Sequence, residues 1–348
     1  MQPIFISNLL EEKIEEVLNG LPYDKAFILV DSHTEDLCLP LFLPIFHREA
    51  KVITIGSGEE SKNLHTLEEV WRELSNGGAT RSSLLLNLGG GMVTDLGGFA
   101  ASTFKRGIRF INFPTTILGA VDASIGGKTG IDFNGLKNEI GAFKMANAVV
   151  IYPKFFRTLS MKDKLSGFAE MLKHSLLDSE EQLSKHLNYT FQEEEEEVLE
   201  ELLKFSIHKK EYFVEKDPLE VKERKALNLG HTIGHAVESL LLKHNTPVFH
   251  GYAVAWGIVS ELYLSHAKVG FPSLLLSRIA KHIRNTWGNC PITCQDYEEL
   301  FSLMKHDKKN VNHNEVNFTL LSSPGEIHFN QTATQELIFE SLDFLRDG

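Results

Sequence analysis

Along the first 150 residues, short apolar runs alternate with longer stretches in which apolar residues recur at helical spacing. The runs fall at residues 26–30, 51–55, 84–88, 109–113 and 148–151, and most are nearly continuous in apolar character. Strands buried on both faces of a parallel sheet have this texture, whereas half-exposed strands alternate apolar with polar. Between them, residues 66–75 and 94–104 have the spacing of amphipathic helices. Strand and helix in turn predict an open α/β sheet, that is, a Rossmann-like nucleotide-binding domain.

Near Pro153 the texture changes: β-branched runs become rare, and Leu, Glu and Lys repeat at helical spacing over residues 164–187 and 192–212. The acidic run 193–197 is continued on one face by Val198, Leu199, Leu202, Leu203 and Ile207, which marks a solvated helix surface rather than an acidic tail. A β-like piece comes late, at residues 316–321. At 348 residues the chain has room for two domains, and the expected division is an α/β domain over 1–152 and a mostly α-helical, metal- and substrate-binding domain over 153–348.

Composition narrows the function. With 42% apolar and 24% charged residues, the chain is that of a folded, soluble protein. Asp and Glu outnumber Lys and Arg by 47 to 35, so general attraction to nucleic acid or an anionic membrane is disfavoured, and an anionic substrate needs a local basic pocket. Cys38, Cys290 and Cys294 are an odd, sparse set expected to be free thiols in a reducing compartment. Neither a secretory leader at Met1 nor an apolar run of roughly 18 residues is evident, and the cytoplasm is the expected address.

Candidate chemistry sits at two places. Gly89-Gly90-Gly91 follows an expected strand and precedes a helical stretch with Asp95 in its first turn, where backbone N–H groups suit a pyrophosphate. Asp31 ends the first run where an acidic group would meet ribose hydroxyls, and Glu59 and Lys62 lie after the second. Gly127-Lys128-Thr129 imitates the end of a phosphate-binding P-loop, but Asp122 stands where that motif needs glycine. Lys128, Lys137 and Asn138 instead suit a cationic wall for phosphate or carboxylate.

In the second half, His231 and His235 are four apart on one helix face, and His250 follows. Three histidines in twenty residues suggest a metal site, with Glu170, which shares a helix face with Lys173, as a possible carboxylate ligand. Spacing alone leaves open which of His231, His235, His250, His174, Glu170 and Glu238 bind.

Taken together the motifs resemble those of the 3-dehydroquinate synthases, the sugar-phosphate cyclases of the shikimate pathway that leads to the aromatic amino acids. The resemblance runs from Asp31 to about Lys309 and rests on Gly90-Gly91 with Asp95, Arg106-Gly107, Pro114-Thr115-Thr116, Asp122 with Gly126-Gly127-Lys128-Thr129, Lys137-Asn138, Ala169-Glu170 with Lys173, Arg224 with Leu227-Asn228-Leu229-Gly230-His231, and His250-Gly251. It implies a metal, zinc first and cobalt second, held by Glu170, His231 and His250. His235 then matches a substrate-contacting residue. It also implies NAD, bound by Asp31, Glu59, Lys62, Gly90, Gly91, Asp95, Thr115, Thr116, Lys128, Lys137, Phe155, Thr158 and Leu159. Substrate contacts fall to Asp122, Lys128, Asn138, Lys173, Lys210, Arg224, Asn228, His235 and Lys308. Arg106 matches an arginine that reaches a neighbouring subunit's site, which implies a homodimer.

The substrate implied is 3-deoxy-D-arabino-heptulosonate 7-phosphate, converted to 3-dehydroquinate by transient oxidation with NAD, loss of phosphate, re-reduction, ring opening and aldol closure. Its two anionic ends call for two cationic pockets, with Lys128, Asn138, Asn228, Lys308 and a neighbour's Arg106 at the phosphate and Arg224 with Lys210 at the carboxylate. His235 is the candidate proton relay. The alternatives are a cyclase acting on a sugar phosphate without a carboxylate, and a metal-dependent polyol or glycerol phosphate dehydrogenase. Three residues depart from the family pattern: His33 in place of Asn, Pro218 after Asp217 where Glu is common, and Tyr252 after His250-Gly251 where Glu is usual.

Overall fold

The computed structural model describes residues 2–134, 136–191, 196–305 and 316–348, and the chain divides into two compact units, Met1–Lys164 and Leu165–Gly348. In chain order the first unit contains β1 (Ile4–Ile6), α1 (Leu10–Asn19), β2 (Ala26–Asp31), α2 (Ser32–Leu37), α3 (Leu39–Phe46), β3 (Ala50–Ile55), α4 (Leu64–Asn76), β4 (Leu84–Gly89), α5 (Gly91–Thr103), β5 (Arg109–Pro114), β6 (Lys128–Phe133), β7 (Leu136–Phe143) and β8 (Ala148–Ile151). Six strands form one sheet in the order β1-β8-β5-β4-β2-β3, every pairing parallel. The five apolar runs of the sequence are β2, β3, β4, β5 and β8.

Near-continuous apolar character follows from burial on both faces. On one face Ile28 and Val30, Leu84, Leu86 and Leu88, and Ile111 and Phe113 pack with Leu10, Ile14 and Leu18 of α1 and Phe42 and Phe46 of α3. Each such side chain contributes about 1.5–3 kcal/mol by leaving water. On the other face α5 lies so close that a Cβ on Gly97 would stand 2.1 Å from Asn87 Oδ1 and 2.8 Å from the Leu29 side chain. The chain leaves β2 for β3 on one side and returns to β4 on the other, so the carboxyl ends of β2 and β4 flank the point where strand order reverses. Open parallel sheets bind their ligands in the crevice at such a point.

Beyond the expected elements, Lys128–Phe133 and Leu136–Phe143 form an antiparallel hairpin, β6 with β7. Lys128 opens a strand, not a helix, which removes the remaining likeness to a P-loop.

The second unit comprises α6 (Met161–Leu176, counted from Leu165), α7 (Glu180–Asn188), α8 (Glu196–Lys216), α9 (His231–Lys243), α10 (His250–Val269), α11 (Ser273–Trp287), α12 (Tyr297–Lys305), the antiparallel hairpin of β9 (Val316–Ser323) and β10 (Glu326–Ala333), and α13 (Gln335–Asp347). The helical stretch expected at 164–187 is two helices, because Ser179 caps α7 by accepting a hydrogen bond from Gln182 N–H. α10 is buried over most of its length, and its contact with the start of α9 is so close that a Cβ on Gly257 would stand 2.0 Å from the Gly230 carbonyl oxygen. All three cysteines are free, and none of the described helices is long and apolar enough to cross a membrane.

Candidate metal centre and nucleotide cleft

In the second unit, α6, α9 and α10 bring Glu170, His231 and His250 together. Glu170 Oε1 lies 3.4 Å from His231 Nε2 and 3.5 Å from His250 Nε2. Ligands about 2.1 Å from a tetrahedral zinc ion stand about 3.4 Å from one another, so these separations already suit a shared ion. The carboxylate is fully buried, and neither oxygen has a well-aligned hydrogen bond, although Lys173 pairs with it from one turn along α6. A buried carboxylate facing two imidazole nitrogens at this spacing is what a divalent cation completes.

The imidazoles are held from behind. His231 Nδ1 lies 3.2 Å from the Leu229 carbonyl oxygen, which only accepts, so Nδ1 carries the proton and Nε2 keeps its lone pair. His250 Nδ1 donates to Glu238 Oε2 at 3.3 Å, which turns Nε2 towards Glu170. Burial alone would raise the Glu170 carboxyl, but Lys173, His231 and His250 hold it well below its usual range. Burial and the Lys173 charge push His231 well below its ordinary value. Burial works the same way on His250, but the Glu170 and Glu238 carboxylates outweigh it and lift that imidazole to about 10.

His235 stays beside the cluster. Its ring centroid is 5.1 Å from that of His231 and 5.6 Å from that of His250, and donor atoms of the three histidines lie within 4.8 Å of one another. Unlike His231 it is exposed. Geometry therefore keeps His235 within reach of an ion as well as of a substrate.

Elsewhere in the second unit Lys210 and Arg224 are buried. Arg224 donates to the Pro218 carbonyl at 3.0 Å, within a strap whose backbone N–H groups at Val221, Lys222 and Arg224 all converge on Asp217. Sequence reasoning noted Asp217 only as the neighbour of Pro218; its carboxylate organises the strap, and Pro218 contributes a carbonyl that any residue would supply. Asn228 donates to Glu220 at 3.0 Å. Tyr252 packs near Phe249 and Trp256, with ring centroids 6.1 and 6.2 Å away. Lys308 lies outside the described residues.

In the first unit the cleft forms at the carboxyl ends of β2 and β4. Asp31 ends β2 and caps α2, Oδ1 accepting from Thr34 N–H at 2.8 Å, while His33 is exposed in that first turn. Gly90 is the cap of α5 and Gly91 its first residue; a Cβ on Gly90 would lie 3.1 Å from the Thr116 methyl and one on Gly91 3.0 Å from the Ala123 methyl. Thr115 N–H donates to the Gly89 carbonyl at 2.9 Å, and Thr116 Oγ1 accepts from Gly119 N–H at 2.9 Å. Asp122 belongs to the π-helical turn Gly119–Ala123, a distortion that often accompanies functional sites.

Among the described residues of this unit, Lys62 is the buried cation. Its ammonium donates to Asp95 at 2.7 Å and to Asn138 at 2.6 Å, with Glu59 3.8 Å away and Lys137 in turn 3.9 Å from Glu59. Asn138, expected at the substrate, is thus grouped with the residues expected at NAD. Burial raises the Asp95 carboxyl despite Lys62, helped by the charges of Glu59 and Asp122. Lys128 is exposed at the start of β6, and Arg106 is exposed and left-handed at φ 67°. Phe155 is buried in the unit's core; Thr158 Oγ1 donates to its carbonyl at 2.7 Å, and Leu159 N–H donates to the Phe156 carbonyl.

Comparison with known proteins gives one consistent result. Family models for the N-terminal and C-terminal parts of 3-dehydroquinate synthase match residues 52–166 and 167–310. The 3-dehydroquinate synthase of Parabacteroides distasonis is 48% identical over 349 residues, covering 100% of this chain and 98% of the relative. That of Ruminiclostridium cellulolyticum is 34% identical, covering 97% and 94%. Among solved structures, 2-deoxy-scyllo-inosose synthase with carbaglucose-6-phosphate, NAD+ and Co2+ superposes with a TM-score of 0.83 at 23% identity, covering 98% of this chain and 96% of that one. A 2-epi-5-epi-valiolone synthase from Streptomyces hygroscopicus with NAD+ and Zn2+ gives 0.82 at 22%, covering 99% and 96%. At that identity the solved structures establish the fold.

Proposed function

The chain belongs to the 3-dehydroquinate synthase family, and from that premise we propose that it converts 3-deoxy-D-arabino-heptulosonate 7-phosphate into 3-dehydroquinate and phosphate. The observation that carries this is the Glu170, His231 and His250 cluster, whose buried carboxylate sits 3.4 and 3.5 Å from the Nε2 atoms of two imidazoles. Zinc there, or cobalt, supplies Lewis acidity that lowers the pKa of a substrate hydroxyl, and NAD supplies a hydride acceptor that is regenerated. The NAD+ with Co2+ or Zn2+ held by the solved relatives supports both assignments.

The chain's own residues bind, orient and move protons. In the first unit Asp31, Glu59, Lys62, Gly90, Gly91, Asp95, Thr115, Thr116 and Lys137 hold the dinucleotide, with Lys128 and Asn138 assigned to the substrate phosphate. In the second, Arg224 and Lys210 hold the substrate carboxylate, Asn228 helps at the phosphate, and His235 relays the hydroxyl proton. Two buried cations in the second unit, Lys210 and Arg224, favour a carboxylate-bearing substrate over a neutral one. Arg106 is assigned to the site of a second copy, which makes the active form a homodimer, and the cytoplasm is its assigned compartment.

The test is turnover of the heptulosonate phosphate by zinc-loaded protein with catalytic NAD, following phosphate, 3-dehydroquinate and NADH together. Equal amounts of phosphate and dehydroquinate with no net NADH are expected. Net NADH without phosphate would overturn the assignment in favour of a dehydrogenase.

A further inference from the structure

α9 starts at His231, yet Gly230 at its cap, with φ 78°, has no side chain to cap it. In a capping box the N–H groups of the cap and of the third helical residue are satisfied by two nearby side chains. Here one side chain from another helix meets both: Glu261 of α10 accepts from Gly230 N–H at 2.6 Å through Oε2 and from Ile233 N–H at 3.2 Å through Oε1. Glu261 is completely buried. The close approach of α9 and α10 is made at Gly257, where a Cβ would stand 2.0 Å from the Gly230 carbonyl oxygen. A buried carboxylate is costly to maintain, and here it directs a particular peptide group.

That peptide joins Leu229 to Gly230. Its N–H is gripped by Glu261, and its carbonyl oxygen is the one facing His231 Nδ1 at 3.2 Å. Carboxylate, amide and imidazole therefore stand in series, ending at the Nε2 that faces Glu170. Hydrogen bonds in series polarise one another, and a carboxylate behind an imidazole raises its strength as a ligand. His250 has this arrangement directly, through Glu238.

We propose that Glu261 is the outer carboxylate of His231, acting through the Leu229–Gly230 peptide to orient that imidazole and strengthen it as a metal ligand. The proposal rests on the metal centre assigned above. Glu261 is a positioning residue and touches neither ion nor substrate.

Zinc affinity by chelator competition, measured with the thermal midpoint of the metal-free protein, tests it on wild type, Glu261→Gln, Glu261→Ala and His231→Ala. Glu261→Gln is expected to weaken zinc about 10- to 100-fold, with Glu261→Ala at least as weak. Affinity within about twofold of wild type, alongside a lower midpoint, would reduce Glu261 to a helix cap and overturn the proposal. Wild type that binds no better than His231→Ala would instead overturn the metal centre itself. Should the variants not fold, glycine-labelled wild type gives the answer: the Gly230 amide resonance is expected far downfield and moving on addition of zinc, and a resonance indifferent to zinc overturns the proposal.

Discussion

The nucleotide cleft and the metal centre are built in opposite ways. The cleft rests largely on main chain: strand ends, the first turn of α5 and peptide groups of the Thr115–Thr116 loop, with side chains such as Asp31 and Thr116 partly occupied in holding that backbone. The centre is made of side chains on three helices, His231 held from behind by a carbonyl, His250 by a carboxylate and Glu170 by the Lys173 ammonium. A backbone site is secured by topology and tolerates many substitutions. A side-chain site depends on individual atoms, so single changes there should cost most.

The comparison breaks most visibly at the ligands. Glu170→Ala or His231→Ala is expected to release zinc and lower turnover at least about 10³-fold, as loss of several kcal/mol of Lewis-acid stabilisation requires. Metal content by atomic absorption and steady-state rates check this. Retention of zinc by Glu170→Ala would mean that His235 completes the ligand set.

His235 sharpens the same point from the other side. Its i, i+4 spacing from His231 is what a helix-borne metal pair looks like in sequence, and its ring does stay within ligand range. With Glu170 as the third donor, His235→Ala should keep zinc and lose about 10²-fold in kcat, the ordinary contribution of a proton-transfer group. Loss of zinc would move His235 into the ligand set.

These two residues show what was legible. The strands of the first unit could be read because burial on both faces leaves an unbroken apolar run, and their order then places Asp31 and Gly90 at the cleft. The hairpin of β6 and β7 could not, because β7 is almost wholly exposed and lacks the unbroken apolar run of a buried strand. Spacing found His231 and His235 and offered Glu170 as a possible carboxylate, but it could not choose among the candidates, because Glu170 meets the histidines only through the packing of α6 with α9 and α10. Glu261 did leave a trace: a lone acid in the apolar run 253–264, following a helix whose cap is glycine.

In the cleft, sensitivity should appear only where helix meets strand. Gly97→Ala would put a methyl against Asn87 Oδ1, which already lacks a hydrogen bond while Asn87 Nδ2 donates to Asn112 at 2.9 Å. Overpacking of this kind costs about 1–3 kcal/mol. Urea denaturation should show that loss with weaker NAD binding by calorimetry and unchanged zinc affinity. A variant as stable as wild type would mean that α5 shifts freely on the sheet.

The smallest effect is expected where the second unit itself relies on main chain, in the strap around Asp217. Three backbone N–H groups, at 3.0, 2.6 and 3.2 Å, point at that carboxylate. Burial alone would raise its pKa, but these bonds and the Arg224 charge hold it below the ordinary 3.8. A carboxyl depressed in the folded state adds stability that is fully present above the unfolded value of about 3.9 and is lost as pH falls through the folded value. Acid should therefore loosen the strap below about pH 4, freeing Arg224 from the Pro218 carbonyl before the metal ligands lose their packing. Asp217→Asn removes the charge at every pH, so it should cost about 1 kcal/mol at neutrality and show a flatter fall in stability between about pH 4 and pH 2. Urea midpoints measured across that range decide the matter: parallel curves for variant and wild type would mean that the strap is held by something other than this carboxylate.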